Sequence, residues 1–450
     1  MAKLQVGHSS YGAYKYSEQE WLGSIPKHWE VKALKHGATI VLGKMLCPEN
    51  KGGYFLRPYL KSKNIQWLNA ETSSVDEMWF SKGEMDLYRL KKADLVLSEG
   101  GEVGKTCYWN EELPECYIQN SAHRVRFFIG NDPRYFLYQF FSAGNIGYFD
   151  SIVNRVSIAH LTREKLANAN FIFPTEQEQA SIANFLDQQS VQIDAVIQIK
   201  KRQIERLKER KQILIQQAVT HGLDPDASMR DSGIEWIGEI PAHWSIKRAK
   251  YIFREVDERS PDGQQELLSV SHLTGVTPRS EKNVSMFMSE DYTGSKTCQR
   301  NDLVFNIMWA WMGALGVSDR VGIVSSAYGI YRQIQPDTLN PQYLEMLLKT
   351  TTYIAHYNKV STGLHSSRLR FYSHMFMAME IGFPHREEQD AIVAYLDLES
   401  GKLNKAVDLL EQQISKLKEY KATLINSAVT GKVKVPGVVE PSENKEREIA

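Results

Sequence analysis

The sequence predicts an α+β chain in which two similar globular domains alternate with two long helices, and the helices pack as an antiparallel coiled coil about a pseudo-two-fold internal repeat. Three observations predict it. EWLGSIPKHWEVKALK (Glu20 to Lys35) returns as EWIGEIPAHWSIKRAK (Glu235 to Lys250), 215 positions later. PTEQEQASIANFLD (Pro174 to Asp187) returns as PHREEQDAIVAYLD (Pro384 to Asp397), 210 positions later. Behind each of the latter runs an apolar seam stepping by four and three, the signature of helix-on-helix packing. The expected boundaries are a first globular domain over 1–173, a helical spacer over 174–222, a second globular domain over 223–383, a second spacer over 384–432 and a flexible, charged tail over 433–450.

In the first domain, Asp94-Leu95-Val96-Leu97 reads as a short strand and runs into SEGGEVGKT (Ser98 to Thr106). Its Gly-Lys-Thr ending suggests a phosphate-binding loop. That loop needs its first glycine five positions before Gly104, where Glu99 stands, and a helix after it, where Cys107-Tyr108-Trp109-Asn110 and then Pro114 follow. A glycine-rich turn between strands is the better reading. An apolar run, ANFIFP, then feeds a strand into the first helix, which Thr175 and Glu178 open with a capping box.

The first seam is Ile193, Ile197, Lys200, Ile204, Leu207, Lys211, Leu214 and Ala218, with its lysine stems able to snorkel. In the second domain Asp302-Leu303-Val304 repeats the strand, but the loop becomes Trp309-Ala310-Trp311. The run MEIGFP opens the second helix, where His385 replaces the capping threonine and Ser400-Gly401 predicts a loosened or kinked turn. Its seam is Leu403, Val407, Leu410, Ile414, Leu417, Lys421, Leu424 and Ala428.

A chain that runs globule, helix, globule, helix must turn its second helix back along the first. A seam of about 26 residues spans on the order of 40 Å, a little more than the roughly 34 Å of one DNA turn. Two unlike modules held so would suit two short sequences separated by an unread gap.

Composition narrows the classes. Lys+Arg and Asp+Glu both total 54, which excludes a non-specific nucleic-acid coat. Neither domain is basic, with 21 against 18 over 1–173 and 16 against 18 over 223–383, so phosphate binding falls to local patches or to a partner. Cys47, Cys107, Cys116 and Cys298 lack metal-site spacing and read as reduced thiols. Without an apolar leader at the start or an 18-residue apolar run, the expected location is cytoplasmic, with no membrane contact.

The doubled unit resembles the specificity subunits of type I restriction–modification systems. The resemblance rests on the two EW(L/I)G…IPxHW segments, the DLVLSEGGEVGKT hairpin, the two FP-led helix openings and the AVT endings at Gln216–Gly222 and Asn426–Lys432. It departs at His221-Gly222, where the second copy has Gly-Lys, and at the Trp309-Ala310-Trp311 loop. It implies a non-catalytic DNA-binding scaffold with no metal or cofactor in this chain. Each recognition domain would read half of a bipartite, asymmetric site in double-stranded DNA. The helices would set the gap and dock two modification (methyltransferase) subunits that use S-adenosylmethionine, while restriction subunits would translocate and cut DNA with ATP and Mg²⁺.

The candidate DNA-contacting residues are Lys61, Lys63, Asn64, Gly101, Lys105, Asn154, Arg155 and Ser157 in the first domain. In the second they are Ser271, His272, Trp309, Thr362, His365, Ser367, Arg368 and Arg370. Arg and Lys suit guanine or phosphate, Asn suits adenine, and glycine permits close approach. His28 and His243, alike in both copies, fit packing beside Trp29 and Trp244 better than a catalytic pair. Two rival classes stay open at this stage: a P-loop nucleotide-binding enzyme acting through Lys105, and a coiled-coil scaffold that binds no nucleic acid.

Overall fold

The computed structural model describes residues 9–153, 160–282, 291–363 and 369–441. The chain divides into two compact units, Met1–Lys200 with Glu411–Ala450, and Lys201–Leu410. A unit is therefore one globular domain, the opening part of one long helix and the closing part of the other.

Both globular domains are built on the same four-stranded antiparallel sheet. In the first, its order is Ala38–Leu42, Ala122–Phe127, Leu95–Ser98, Thr106–Tyr108; in the second, Phe253–Glu255, Gly329–Gln333, Leu303–Phe305, Leu315–Val317. The Asp-Leu-Val segments thus lie in fully buried inner strands. Between the shared strands the domains differ. The first adds a three-stranded sheet of Asp76–Phe80, Phe55–Leu60 and Tyr117–Ile118, and the second adds the hairpins Leu268–Ser271 with Gly275–Pro278 and Lys296–Cys298 with Gly322–Val324. All four cysteines are buried free thiols.

Each long helix opens from a strand, as the proline-ended apolar runs predict. Asn170–Phe173 pairs with Glu30–Ala33 and leads into the helix Glu176–His221, while Glu380–Phe383 pairs with Ser245–Arg248 and leads into Arg386–Val429. Glu178 accepts from the Thr175 N–H at 3.1 Å and hydroxyl at 2.9 Å, completing the expected capping box. The second helix, by contrast, runs unbroken through Ser400 and Gly401. A single helical glycine costs only about 1 kcal/mol, too little to end a helix packed along its length.

Within each unit the two helical segments run antiparallel. In the first unit Lys421 donates to Asp194 at 2.7 Å and Lys200 to Gln413 at 2.5 Å; in the second Lys211 donates to Asn404 at 3.0 Å. The seam lysines therefore meet a polar side chain on the facing helix. Ile193, Ile197, Ile204, Ile414 and Leu424 are buried on this face, while Leu207, Leu214, Leu403, Val407, Leu410 and Leu417 are half-buried.

The segment after the second helix departs from expectation. Val433–Pro441 is not a loose tail: Lys434 N–H donates to Ser9 O at 2.9 Å, Glu440 accepts from Gly12 N–H at 3.0 Å, and Val435 is buried. Backbone pairing with the start of the chain holds it in the first unit.

Candidate nucleic-acid interface

The junction between globule and helix is held by the same side-chain partners in both units, which is why the IPxHW and EQ segments repeat. In the first unit Glu178 accepts from His28 Nε2 at 2.8 Å and Trp29 Nε1 at 3.0 Å. In the second Glu388 accepts from His243 Nε2 at 2.8 Å and Trp244 Nε1 at 3.1 Å. The neighbouring glutamines act as clamps, Gln179 accepting from Asp132 N–H and Gln389 from Asn340 N–H, at 2.9 and 2.8 Å. His28 and His243 are thus packing residues.

In the first unit the loop after Leu95–Ser98 is a hairpin turn closed by Gly104 N–H on Ser98 O at 3.0 Å and followed by the strand Thr106–Tyr108. A strand and not a helix follows the loop, and Lys105 is ion-paired with Glu102. The P-loop reading is thereby overturned, because the loop does not lead into the helix that would supply the dipole and its ammonium is already paired. Gly104 has φ +80°, and the Phe149 ring occupies the space its Cβ would need. Only glycine fits there.

Three further segments converge on this hairpin. Ser62 donates through its N–H to Ser121 Oγ at 3.1 Å and through its hydroxyl to Ser121 O at 3.0 Å, and Ser98 Oγ donates to Ser62 Oγ at 3.1 Å. Glu99 N–H donates to Ser121 O at 2.9 Å, while Leu161 N–H donates to Glu99 O at 2.8 Å. Lys61, Lys63, Gly101 and Lys105 therefore stand on loops that share one rim, Gly101 with open space at its Cβ position. Lys61 and Lys63 both pair with Asp76, and the Lys61 hydrogen bond holds the Asp76 carboxyl below its ordinary range. Asn64 leaves the candidate set. Its side chain is buried, donates to Glu71 O at 2.9 Å and Ser74 O at 3.0 Å, and accepts from Lys61 N–H, so both donors are spent and the amide is out of reach of a base edge. Asn154, Arg155 and Ser157 lie outside the described residues, just before His160, which bridges to Gly100.

The second unit repeats the frame with other chemistry. Phe371 N–H donates to Ile307 O at 3.0 Å, the counterpart of Leu161 on Glu99. Thr362 and Arg370 exchange backbone hydrogen bonds at 3.1 and 2.9 Å. His365, Ser367 and Arg368 lie outside the described residues. Ser271 closes its turn on Thr274 at 2.9 Å, leaving His272 exposed at the tip. Trp309 is also exposed.

Sequence reasoning missed the buried anchors of both inner strands. Asp94 takes Arg126 Nε and Nη2, each at 2.6 Å, and Lys91 N–H at 2.7 Å. Asp302 takes Arg332 at 2.7 and 2.8 Å and Gln299 N–H at 2.8 Å. The aspartate heading both Asp-Leu-Val repeats was the available signal.

Residues 26–209 match the family model described as "Type I restriction modification DNA specificity domain". Within that span the chain is similar to this specificity family. Its similarity to a Methanocaldococcus jannaschii protein described as a type I restriction enzyme MjaX specificity subunit is 26% identity over 242 residues, covering 50% of this chain and 52% of that one. The match thus spans about half the length of that relative. Two solved structures share the fold. One comes from work on "complex assembly and conformational transition of the type I R-M system", with 14% identity, 90% of this chain and 98% of that chain covered, and a TM-score of 0.63. The other is the HsdS subunit from Thermoanaerobacter tengcongensis, with 14% identity, coverage of 91% and 98%, and a TM-score of 0.50. At such identities the likeness carries the fold alone.

Proposed function

We propose that this chain is the specificity subunit of a type I restriction–modification complex: a non-catalytic protein that reads the two halves of a gapped, asymmetric site in double-stranded DNA. One observation carries the reading. The same scaffold occurs twice, down to the Glu178 and Glu388 junctions, while the loop after the shared inner strand carries glycine and lysine in one copy and tryptophan in the other. Scaffold identity with loop divergence is what two readers of unlike half-sites require.

The partners follow from the repeat. Ile199 and Leu409, 210 positions apart on the two helices, are 49% and 55% exposed. Equivalent apolar positions left open on both repeats suit two copies of one partner, the modification subunits. Methylation of a flipped adenine would then use S-adenosylmethionine held by those subunits, and this chain would fix where their pockets meet the duplex. ATP and Mg²⁺ belong to the restriction subunits in this reading. Among the described residues no group of three or more His, Cys, Asp or Glu side chains could hold a metal ion, and no helix is long and apolar enough to cross a membrane. In this reading the complex acts on DNA in the cytoplasm.

Sequencing of modified bases in a host carrying this chain and its methyltransferase tests the proposal. The expected outcome is one methylated adenine in each half of a bipartite motif with a fixed unread gap. A continuous motif, or methylation that does not depend on this chain, overturns it.

A further inference from the structure

The loop of the second unit differs from its counterpart in the first by carrying aromatic rings where the first carries glycine and lysine. Trp309 is 46% exposed, although burying a tryptophan is among the larger apolar gains available to a folded chain. Its outward position is held by the backbone. Trp309 N–H donates to Asn306 O at 2.9 Å, while Trp309 O accepts from Met312 and Ala314 N–H at 2.9 and 3.1 Å. The Asn306 side chain in turn donates to Tyr328 Oη at 3.0 Å and accepts from Met308 N–H at 3.2 Å. Behind it Trp311, with its indole N–H on Met308 O at 3.1 Å, stacks against Trp309 with centroids 5.9 Å apart and planes at 29°. Met312 and Leu273, the latter 81% exposed, line one groove beside the loop. A rigid, backed indole flanked by exposed apolar side chains is built to stack on something flat.

We propose that Trp309 is a stacking wedge: it presses its ring against a base step of the second half-site, partly unstacks it, and so selects sequence by deformability. This rests on the reading of the chain as a DNA specificity subunit. A base is favoured over a protein side chain because Ile307 is hydrogen-bonded to Phe371, placing the loop on the same rim as Thr362 and Arg370. The corresponding rim of the first unit presents polar and backbone groups. Aromatic wedges act at flexible pyrimidine–purine steps, where unstacking costs least, so the two half-sites are read by different physics.

The test uses the full chain assembled with its methyltransferase partner on a duplex in which 2-aminopurine is moved stepwise through the second half-site. Fluorescence should rise on binding at one step distinct from the methylated adenine. It should collapse in Trp309→Ala and be largely kept in Trp309→Phe, with the alanine variant binding the site roughly ten- to hundredfold more weakly. Because the phenylalanine variant retains a ring in the same fold, loss in alanine but not phenylalanine separates stacking from a folding defect. A rise unchanged in Trp309→Ala, or no such rise in a wild-type complex that binds its site, overturns the wedge alone. Normal DNA binding by Trp309→Ala with loss of the methyltransferase would make the patch a protein-docking surface and likewise overturn it. A wild-type complex with no specific duplex binding would overturn the specificity reading itself.

Discussion

Asp94 and Asp302 are each 1% exposed, and each takes a two-pronged contact from an arginine of the neighbouring strand. A buried carboxylate is tolerable only with such a partner, since its hydration has been given up. Arg126→Met leaves Asp94 with a single backbone donor, and the expected loss of stability is about 3 kcal/mol, at the low end for breaking a buried pair because the guanidinium is partly open to water. Chemical denaturation should show a lower midpoint. Adding Asp94→Asn should cost less than the sum of the two single changes, because the uncompensated charge is gone. The repeated aspartate was visible in the sequence, but its arginine partner was not. Arg126 is 32 positions from Asp94, and only the antiparallel pairing of the two strands, from Ala122 with Ser98 to Val125 with Leu95, brings them together. Asn64 failed for the opposite reason: its residue type suits a base edge, but three local backbone groups claim its amide.

The hairpin that carries Gly101 and Lys105 is seated on a histidine. His123, fully buried in the strand Ala122–Phe127, contacts Leu161 O at 2.6 Å, and Leu161 N–H holds Glu99. Burial pushes the His123 pKa below its ordinary value, with the Leu161 carbonyl opposing more weakly. The folded domain therefore favours the neutral ring, while the unfolded chain takes up a proton near pH 6.5. Stability from this residue is full above about pH 6.5 and is lost as pH falls through the lower folded value. Thermal midpoints should decline on acidification from neutrality, and His123→Gln, neutral at every pH, should flatten the part of that decline that comes from the first unit. An equal decline in the variant would remove His123 as its cause. Elements differ in legibility for a related reason. The long helices were readable because their seams repeat through eight positions each, whereas strands of two to six residues take their identity from neighbours far away in sequence. The cores of the two sheets could still be found, because the chain states them twice.

The repeat also governs what a fragment should do. In the first unit Tyr135 Oη donates to Val429 O at 3.1 Å and Ser142 Oγ to Asn426 at 2.8 Å, so the first globule is clasped by the end of the second helix. In the second unit Tyr343 Oη donates to Val219 O at 3.0 Å and Thr351 Oγ1 to Gln216 at 2.7 Å, so the second globule is clasped by the end of the first. Val219 and Val429, like Gln216 and Asn426, are 210 positions apart, and each lies in the matching AVT ending. A chain cut after Gly222 keeps the first globule and loses its clasp, but its own helix ends in the equivalent residues. Two copies can supply each other, with Gln216 opposite Ser142 in place of Asn426. Residues 1–222 should therefore sediment as a dimer and, with the methyltransferase, direct methylation to a site whose two halves are inverted copies of the first half-site. The converse fragment, 223–432, should do the same with the second half-site. Monomeric, folded fragments in sedimentation equilibrium would show that the helix endings are not interchangeable. The shared family of contacts at Tyr135 and Tyr343 would then be a likeness of sequence without equivalence in energy.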